Sequence, residues 1–420
     1  MTKKRAPLLA RIGKAIGPGV ITGAADDDPS GVATYSVAGA QLGTSLLWTA
    51  LLTWPLMAAV QMMCARIGMV TGRGLAGALR KKFPRSVLVA MAFALFAANT
   101  INIGADLAGM ADAAEMLTGV NSHFCVVVFG ILILVATVRL RYWQLAAVLK
   151  WLALALGAYV GTAFLAHPRW GAIARDALVP SLPHGREAWA MLVAILGTTI
   201  SPYLFFWQAS QEVEEEKAMG RRMLVSRRGA TSREITDRRI DVGVGTFASN
   251  LVMFFIILTT ALTLHVHGVT NIQTSKEAAQ ALAPLAGRFA AALFTVGILG
   301  VGFLAIPTLA GSAAYAFAET FGWRQGLDQK LRGARQFYLV AGTATTIGIA
   351  IDFAGFNPVR ALFLSAVING VLAPFLLVGV LLVASDSALM AKQPSSIVSR
   401  VVVGVTTLLM FAAAVGMFVF

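Results

Sequence analysis

Three consecutive carboxylates, Asp26, Asp27 and Asp28, are followed at once by Pro29, Ser30 and Gly31, and the run lies inside the first long apolar stretch of the chain. An acid at membrane depth is expensive and marks an ion or substrate path. Proline removes a backbone donor and glycine weakens a helix interior, so the helix is expected to break here. Unwound backbone inside a bilayer is tolerated where it faces protein or a watery cavity. The run therefore specifies a site for something that accepts oxygen ligands and negative charge. A second interruption, Gly197-Thr198-Thr199-Ile200-Ser201-Pro202-Tyr203, lies in another apolar stretch. Pro202 frees one backbone carbonyl, and the small polar residues around it can re-satisfy such groups.

The elements that carry these breaks are membrane helices. Of 420 residues, 57% are hydrophobic and 13% charged, and the mean hydropathy is +0.74. Crossing ~30 Å of hydrocarbon takes about 20 apolar residues. Stretches that meet this length are roughly 12–44 (broken at Asp28), 46–70, 86–118, 123–138, 142–166, 187–217, 240–264, 285–320, 337–353, 358–384 and 398–420. The prediction is an all-α integral membrane protein of eleven spans. The first apolar segment is long and interrupted, with no cleavage site after a short apolar core, so it reads as a permanent helix.

The net charge of +14 is topology rather than a nucleic-acid footprint. With the amino terminus inside, 26 of the 34 basic residues fall on the cytoplasmic side, from Lys3 and Arg11 through Arg80 and the 217–239 loop to Arg400. Six fall outside: Arg169, Arg175, Arg186, Lys276, Arg288 and Arg360. This is the positive-inside distribution. It predicts a multi-pass protein of a bacterial inner membrane, amino terminus cytoplasmic and carboxy terminus outside. Cys64 and Cys125 lie in apolar spans and form no disulfide or zinc framework. With no phosphate-binding glycine loop and no large soluble domain, an ATP-driven pump is not expected. With no convergent His, Cys or Ser-Lys constellation, neither is an enzyme. No cofactor is expected.

Each interruption opens a block of five spans, residues 1–166 and 187–385, with 398–420 as an extra helix. The first block starts inside and the second outside. Two five-span units of opposite orientation, each beginning with a proline-broken helix, is the pattern of an inverted-repeat secondary transporter, with substrate held at the midplane between the broken helices. A proline kink alone is weak support for a site; a kink beside three carboxylates, repeated at the equivalent place in the second block, is much stronger.

From about Gly17 to about Leu382 the chain resembles the Nramp divalent-metal transporters. Gly17-Pro18-Gly19 matches the family lead-in. Asp28-Pro29-Ser30-Gly31 stands where the family has Asp-Pro-Gly-Asn, and Ser201-Pro202-Tyr203 where it has Met-Pro-His. Asp106-Leu107-Ala108 in span three and Ser365 to Phe375 in span ten also match. The resemblance implies a leucine-transporter-like fold with discontinuous helices 1 and 6, transport of a divalent cation by alternating access, Asp28 as the metal carboxylate, and the carbonyls of Ala25 and Thr198 as further ligands. Several positions depart from the pattern. Gly31 replaces an asparagine, Ser201 a methionine and Tyr203 a histidine. Gln208 replaces a second histidine, and Gly109 replaces a glutamate, which puts the usual proton route in question. The membrane potential alone, ~2.3 kcal/mol per charge per 100 mV, is then a sufficient driving force, with H⁺ coupling as the alternative.

The ligand set so defined is all oxygen: Asp28, the Ser201 hydroxyl, the Ala25 and Thr198 carbonyls, and Asp27 if it faces the cavity. Oxygen donors suit Mg²⁺, Ca²⁺ or Mn²⁺; the missing thioether would have favoured softer metals. Loss of two side chains enlarges the space, which suits Mg²⁺ retaining part of its water. The chain is in this respect closer to a magnesium-transporting branch of the family. The alternative is a transporter of the same fold that has lost metal binding and moves another small solute, with Asp28 held by an internal cation; Arg66 and Lys150 are the main basic residues inside spans, and both could equally sit near the cytoplasmic edge and snorkel. The partners expected are a divalent cation and the lipid bilayer, and a monomer is consistent with the sequence.

Other intramembrane polar residues have two readings each. Asp106 sits deep enough to relay protons or bind a second cation. Asn99 and Asn102 precede it, and Asp112 and Glu115 line either an outer vestibule or a solvated helix end. Gln208, Glu212 and Glu215 share one face at a helix carboxy end, where acids oppose the helix dipole; the arginine-rich loop that follows is the expected partner, with Gln208 and Glu212 nearest the cavity. Asn369 is a cavity candidate, Asp352 and Asn357-Pro358 read as turn residues, and His265 and His267 lie outside the bilayer core.

Overall fold

The computed structural model describes residues 18–139, 154–327 and 329–419, and these contain helices and no strand. The first predicted span is two helices, α1 (Pro18–Asp26) and α2 (Pro29–Leu42). They are followed by α3 (Leu47–Thr71), the short α4 (Leu75–Leu79), α5 (Arg85–Thr118), α6 (Ser122–Arg139), α7 (Ala158–Leu165) and α8 (Trp170–Leu178). The sixth span is likewise two helices, α9 (Arg186–Thr199) and α10 (Pro202–Ala218). Then come α11 (Ser232–Thr263), the short α12 (Ser275–Gln280) and α13 (Ala283–Ala286), α14 (Ala290–Phe321), α15 (Arg335–Asp352), α16 (Pro358–Ala384) and α17 (Ile397–Val419). Among the described residues, eight helical stretches are long and apolar enough to cross a bilayer. The first span is outside that number because its break divides it into 9 and 14 residues. Span nine is α15. Span five lies partly outside the described residues, as do Lys3, Arg11, Gly17 and Lys150.

Local chemistry sets the boundaries. α11 starts at Ser232, ahead of the predicted 240, because Thr231 and Glu234 form a reciprocal capping box. Apolarity alone misses this first, polar part of the helix. α3, α5 and α14 each stop at a left-handed glycine, Gly72, Gly119 and Gly322, a conformation that costs glycine little.

The connections sort into two ends. At one, Gly229 N donates to Val70 O (2.9 Å), Gln393 Nε2 to Ala230 O (3.1 Å) and Gly77 N to Glu319 Oε2 (2.8 Å). The Lys82 ammonium bonds Asp386 at 2.7 Å, which holds that carboxyl below its usual range. At the other end, Ser275 N donates to Asp112 Oδ2 (2.8 Å), Asn357 Nδ2 to Gln273 O (3.0 Å), and His123 meets Asp352 (2.6 Å). The first end carries Arg73, Arg80, Lys81, Lys82 and the 217–239 cations, and is called the basic end below.

The two broken spans lie in the middle of the bundle. α1 and α2 pack on α11, and α2 also touches α5, α9 and α16; α10 packs on α3 and α14. Small residues let these backbones approach closely. A Cβ at Gly197 would stand 2.1 Å from Ala366 O and 2.2 Å from Gly370 N on α16, so only glycine seats α9 against α16.

Candidate cation site

The break in the first span is an N-cap. Asp28 has extended backbone (φ −68°, ψ 169°), and Pro29 is the first residue of α2. The Asp28 carboxylate accepts from Gly31 N at 2.7 Å through Oδ1 and from Asn102 Nδ2 at 3.0 Å through Oδ2. Proline at N1 and an aspartate cap is what a helix start calls for. The same carboxylate that begins α2 thus faces the centre of the bundle. It is buried, as are Asp26, Asp27 and Asp106.

Asp26 and Asp27 turn the other way, toward α11. Ser249 Oγ lies 2.7 Å from Asp26 Oδ2 and 3.1 Å from Asp27 Oδ1. Ser30 joins the break to α5 and α16: its N meets Asp106 Oδ1 (3.2 Å), and its hydroxyl lies 2.9 Å from Asp106 Oδ1, 2.8 Å from Asn102 Oδ1 and 2.9 Å from Ser365 Oγ. Asp26 Oδ1 and Asp106 Oδ2 are buried without a hydrogen bond.

The second break is built differently. Ser201 is in the N-cap position of α10 with extended backbone, yet its side chain caps nothing. Its hydroxyl instead donates back to Gly197 O (2.9 Å) and Thr198 O (2.6 Å). Ile200 N bonds Leu196 O, which closes α9. Tyr203 reaches across to the first break and donates to Ala25 O at 2.8 Å. Gly31 faces Thr198: a Cβ there would sit 3.0 Å from Thr198 Oγ1 and 3.3 Å from Asp28 Oδ1. The two breaks therefore meet at Gly31, with Asp28 and Thr198 on either side.

Among the residues anticipated from sequence, Asp28, Gly31, Ala25, Thr198, Ser201 and Tyr203 come together around the breaks, with Pro29 and Pro202 opening the two half-helices. Asp106 joins them through Ser30. Asp27 sits beside Asp26 on Ser249 and makes no hydrogen bond toward the second break. Gln208 and Glu212 belong to a separate cluster. Gln208 Nε2 donates to Glu212 Oε1 (2.7 Å), and the Arg238 guanidinium bonds Glu212 (2.8 Å), Asp241 (2.5 Å) and Glu215. Asp241 also accepts from Gly19 N at 2.7 Å, which pins the start of α1. The partner of the acidic end of α10 is thus largely Arg238 inside α11, with Arg221 of the preceding loop near Glu216 (3.6 Å).

Other candidates hold structure. Asp112 caps the Ser275 turn, and Glu115 accepts from Ser122 N. Asn357 caps α16, and His265 and His267 face backbone carbonyls at 2.8 Å. Asn369 is buried with Oδ1 unbonded. Gly109 leaves no room for a side chain without displacing Leu362, whose Cδ1 would lie 2.8 Å from a Cβ. Sequence reasoning gave no role to Ser30, Ser249, Ser365 or Asp241, and reached Arg238 only as one cation of the 217–239 stretch. The spacing of Asn102 and Asp106, four apart on one helix face, was the available hint of the α5 contribution.

Two negative features define the chemistry. Among the described residues, no three His, Cys, Asp or Glu side chains converge closely enough to enclose an ion. Nor does any described lysine or arginine pair with Asp26, Asp27, Asp28 or Asp106. Arg66, a candidate internal counter-ion, donates to Gln393 O (3.1 Å) and Pro394 O (3.3 Å) at the basic end.

A natural resistance-associated macrophage protein-like (Nramp) family model matches residues 19–420. The chain belongs to the Nramp family. A divalent metal cation transporter MntH from Yersinia pestis is 29% identical over 304 residues, covering 70% of this chain and 71% of that one. Among solved structures, an Eremococcus coleocola manganese transporter in complex with an aromatic bis-isothiourea substituted compound matches with a TM-score of 0.71, 19% identity, and coverage of 98% and 87%. MhsT in complex with L-phenylalanine matches at 0.54, 14% identity, and 97% of both chains. The fold is the leucine-transporter-like one, and this Nramp-family member is a multi-pass membrane protein of a transport family, not an enzyme family.

Proposed function

We propose that this protein carries a divalent cation across the membrane by alternating access, with Mg²⁺ or Mn²⁺ favoured over Fe²⁺ and Cd²⁺. One observation carries the reading: four buried carboxylates gather at the breaks, and their described partners are hydroxyls, an amide and backbone N–H groups. A buried charge without a basic partner is strongly unfavourable, and a divalent cation is the natural counter-charge. Asp28 supplies the direct charge, and the Thr198 and Ala25 carbonyls and the Ser201 hydroxyl are the neutral oxygen ligands. Ser201 donates its proton away, so its oxygen lone pairs remain for a cation. With no closed carboxylate cage, the ion keeps part of its water, as Mg²⁺ commonly does.

Positive-inside placement puts the basic end in the cytoplasm of a bacterial cell, with the amino terminus there and the carboxy terminus outside. Leu362 against Gly109 leaves span three without the usual acid, so the membrane potential suffices as driving force.

The test is reconstitution in liposomes with internal reporters for Mg²⁺ and Mn²⁺, wild type beside Asp28→Ala. Uptake of either ion, abolished by the substitution, is expected. Uptake of neither ion sinks the metal reading and favours another small solute; Mn²⁺ uptake with strong Cd²⁺ competition sinks the oxygen-ligand preference.

A further inference from the structure

The basic end contains a second concave site, separate from the breaks. A cavity of about 560 Å³ opens between α4, the end of α10 with its following loop, and the carboxy end of α14. Its wall carries Arg73, Arg80, Lys217, Arg227 and Arg324 against one carboxylate, Glu319. These cations fall into two kinds. Arg227 is buried and bound to the carbonyls of Gly72 (3.3 Å), Arg221 (3.1 Å) and Arg222 (2.5 Å), and Lys217 is matched by Glu214 at 2.7 Å. They build the wall. The guanidinium groups of Arg73, Arg80 and Arg324 form no hydrogen bond or ion pair with any described residue, although they line the same space.

Glu319 does not neutralise them. Its carboxylate accepts from Gly77 N at 2.8 Å and from Gln325 Nε2 at 2.8 Å, so its lone pairs are directed into the protein. Ordinary positive-inside loops keep their cations dispersed in solvent. Here two chain segments distant in sequence bring Arg73, Arg80 and Arg324 around one cavity. The remaining wall is mixed: Val213, Leu224 and Trp323 are apolar, and Gln325 and Gln329 are polar. The volume falls in the ~300–1,000 Å³ range of small-molecule sites, and arginine forks match phosphate geometry.

We propose that this cavity binds an anionic organic phosphate, its phosphate oxygens on Arg73, Arg80 and Arg324 and its apolar body toward Leu224 and Trp323. A free nucleotide and an anionic lipid headgroup share this chemistry. The proposal does not rest on the transport reading, because binding is measured without an ion gradient.

Purified full-length protein is titrated with ATP in EDTA, which removes Mg²⁺ as a competing variable, and with inorganic pyrophosphate. The same titration is run in nanodiscs of phosphatidylcholine with and without phosphatidylglycerol. Saturable ATP binding is expected, weakened about tenfold or more by Arg73→Ala with Arg324→Ala and unchanged by Arg169→Ala at the opposite end. If phosphatidylglycerol suppresses ATP binding to the wild type, the lipid occupies the site and is the source of the phosphate; if it leaves ATP binding intact, the nucleotide is. Should the double variant fail to fold, Arg324→Gln, at an exposed position, serves alone. The proposal is overturned if neither ATP nor phosphatidylglycerol binds, or if binding is indifferent to Arg73 and Arg324.

Discussion

The molecule treats two groups of carboxylates in opposite ways. At the end of α10, Glu212, Glu215 and Asp241 converge on a single guanidinium, Arg238, which bonds all three. At the helix breaks, Asp26, Asp27, Asp28 and Asp106 are all buried, more fully than Glu215, and meet only neutral groups. The first arrangement is closed: charge is balanced by the chain itself, and α1, α10 and α11 are tied together at the basic end. The second is open in charge, although closed in space. A carboxylate matched by arginine is structural; one left to hydroxyls and amides awaits an incoming cation. In sequence each group pairs a short acidic run with one distant aspartate, Asp106 or Asp241.

The largest expected effect breaks the closed cluster. Arg238→Ala strands three acids and is expected to destabilise the protein by about 3–5 kcal/mol, since removing one partner of a buried ion network leaves uncompensated charge. Thermal unfolding in detergent measures this. Adding Glu212→Gln and Glu215→Gln to Arg238→Ala should recover part of the loss. If Arg238→Ala leaves the Tm unchanged, the cluster is not what holds the basic end.

The next substitution probes the open group and should give the inverse signature. Asp28→Asn keeps an acceptor for Gly31 N and is expected to be at least as heat-stable as wild type, because an unmatched buried charge has been removed. Uptake in liposomes should nevertheless fall about 100-fold, equivalent to about 2.7 kcal/mol of ion binding. A variant that unfolds while the residual folded fraction transports normally would place Asp28 with the structural carboxylates.

Selectivity comes third. Ser201→Met introduces a soft thioether beside Asp28 and removes the hydroxyl that donates to Gly197 O and Thr198 O. Soft donors favour softer metals, so Cd²⁺ is expected to compete about tenfold better against Mn²⁺ uptake, with Mg²⁺ uptake reduced. Gly31→Asn should act in the same direction more weakly. Its Cβ would sit 3.0 Å from Thr198 Oγ1, so the new side chain narrows the space for a hydrated ion.

The fold was legible in the sequence wherever it depends on hydropathy and helix breakers. Apolar length fixes a membrane span through the thickness of hydrocarbon, and proline beside acids at positions 28–29, or beside small polar residues at 201–202, marks a helix that cannot continue. The polar beginning of α11 was illegible by that route, because Ser232 to Asp241 is helical through its capping box and not through apolarity. The site was legible in membership but not in wiring. The arginine-rich 217–239 stretch was the expected partner of the acids at 212 and 215, but no local pattern tells that Arg238, within α11, is the cation that takes the role. Ser30 enters the sequence reading only as part of the Asp28-Pro29-Ser30-Gly31 motif, yet its hydroxyl joins α2 to α5 and α16. Ser201 reads from sequence as a hydroxyl ligand, and in the fold that hydroxyl donates to its own preceding turn, which only the geometry of the unwound backbone decides.

The smallest effect tests how the two breaks speak to each other. Tyr203 donates to Ala25 O, so one proposed ligand carbonyl already has a partner from the opposite half-site. Tyr203→Phe removes a single neutral hydrogen bond, about 0.5–1.5 kcal/mol, and leaves the ring in place. A carbonyl has two lone pairs, and freeing one makes Ala25 a better cation ligand. Apparent affinity for Mn²⁺ is therefore expected to rise a few-fold, with a slight fall in Tm. A fall in Tm with no change in affinity would mean that the Ala25 carbonyl ties the two broken spans together and takes no part in holding the ion, leaving Asp28 with Thr198 as the core of the site.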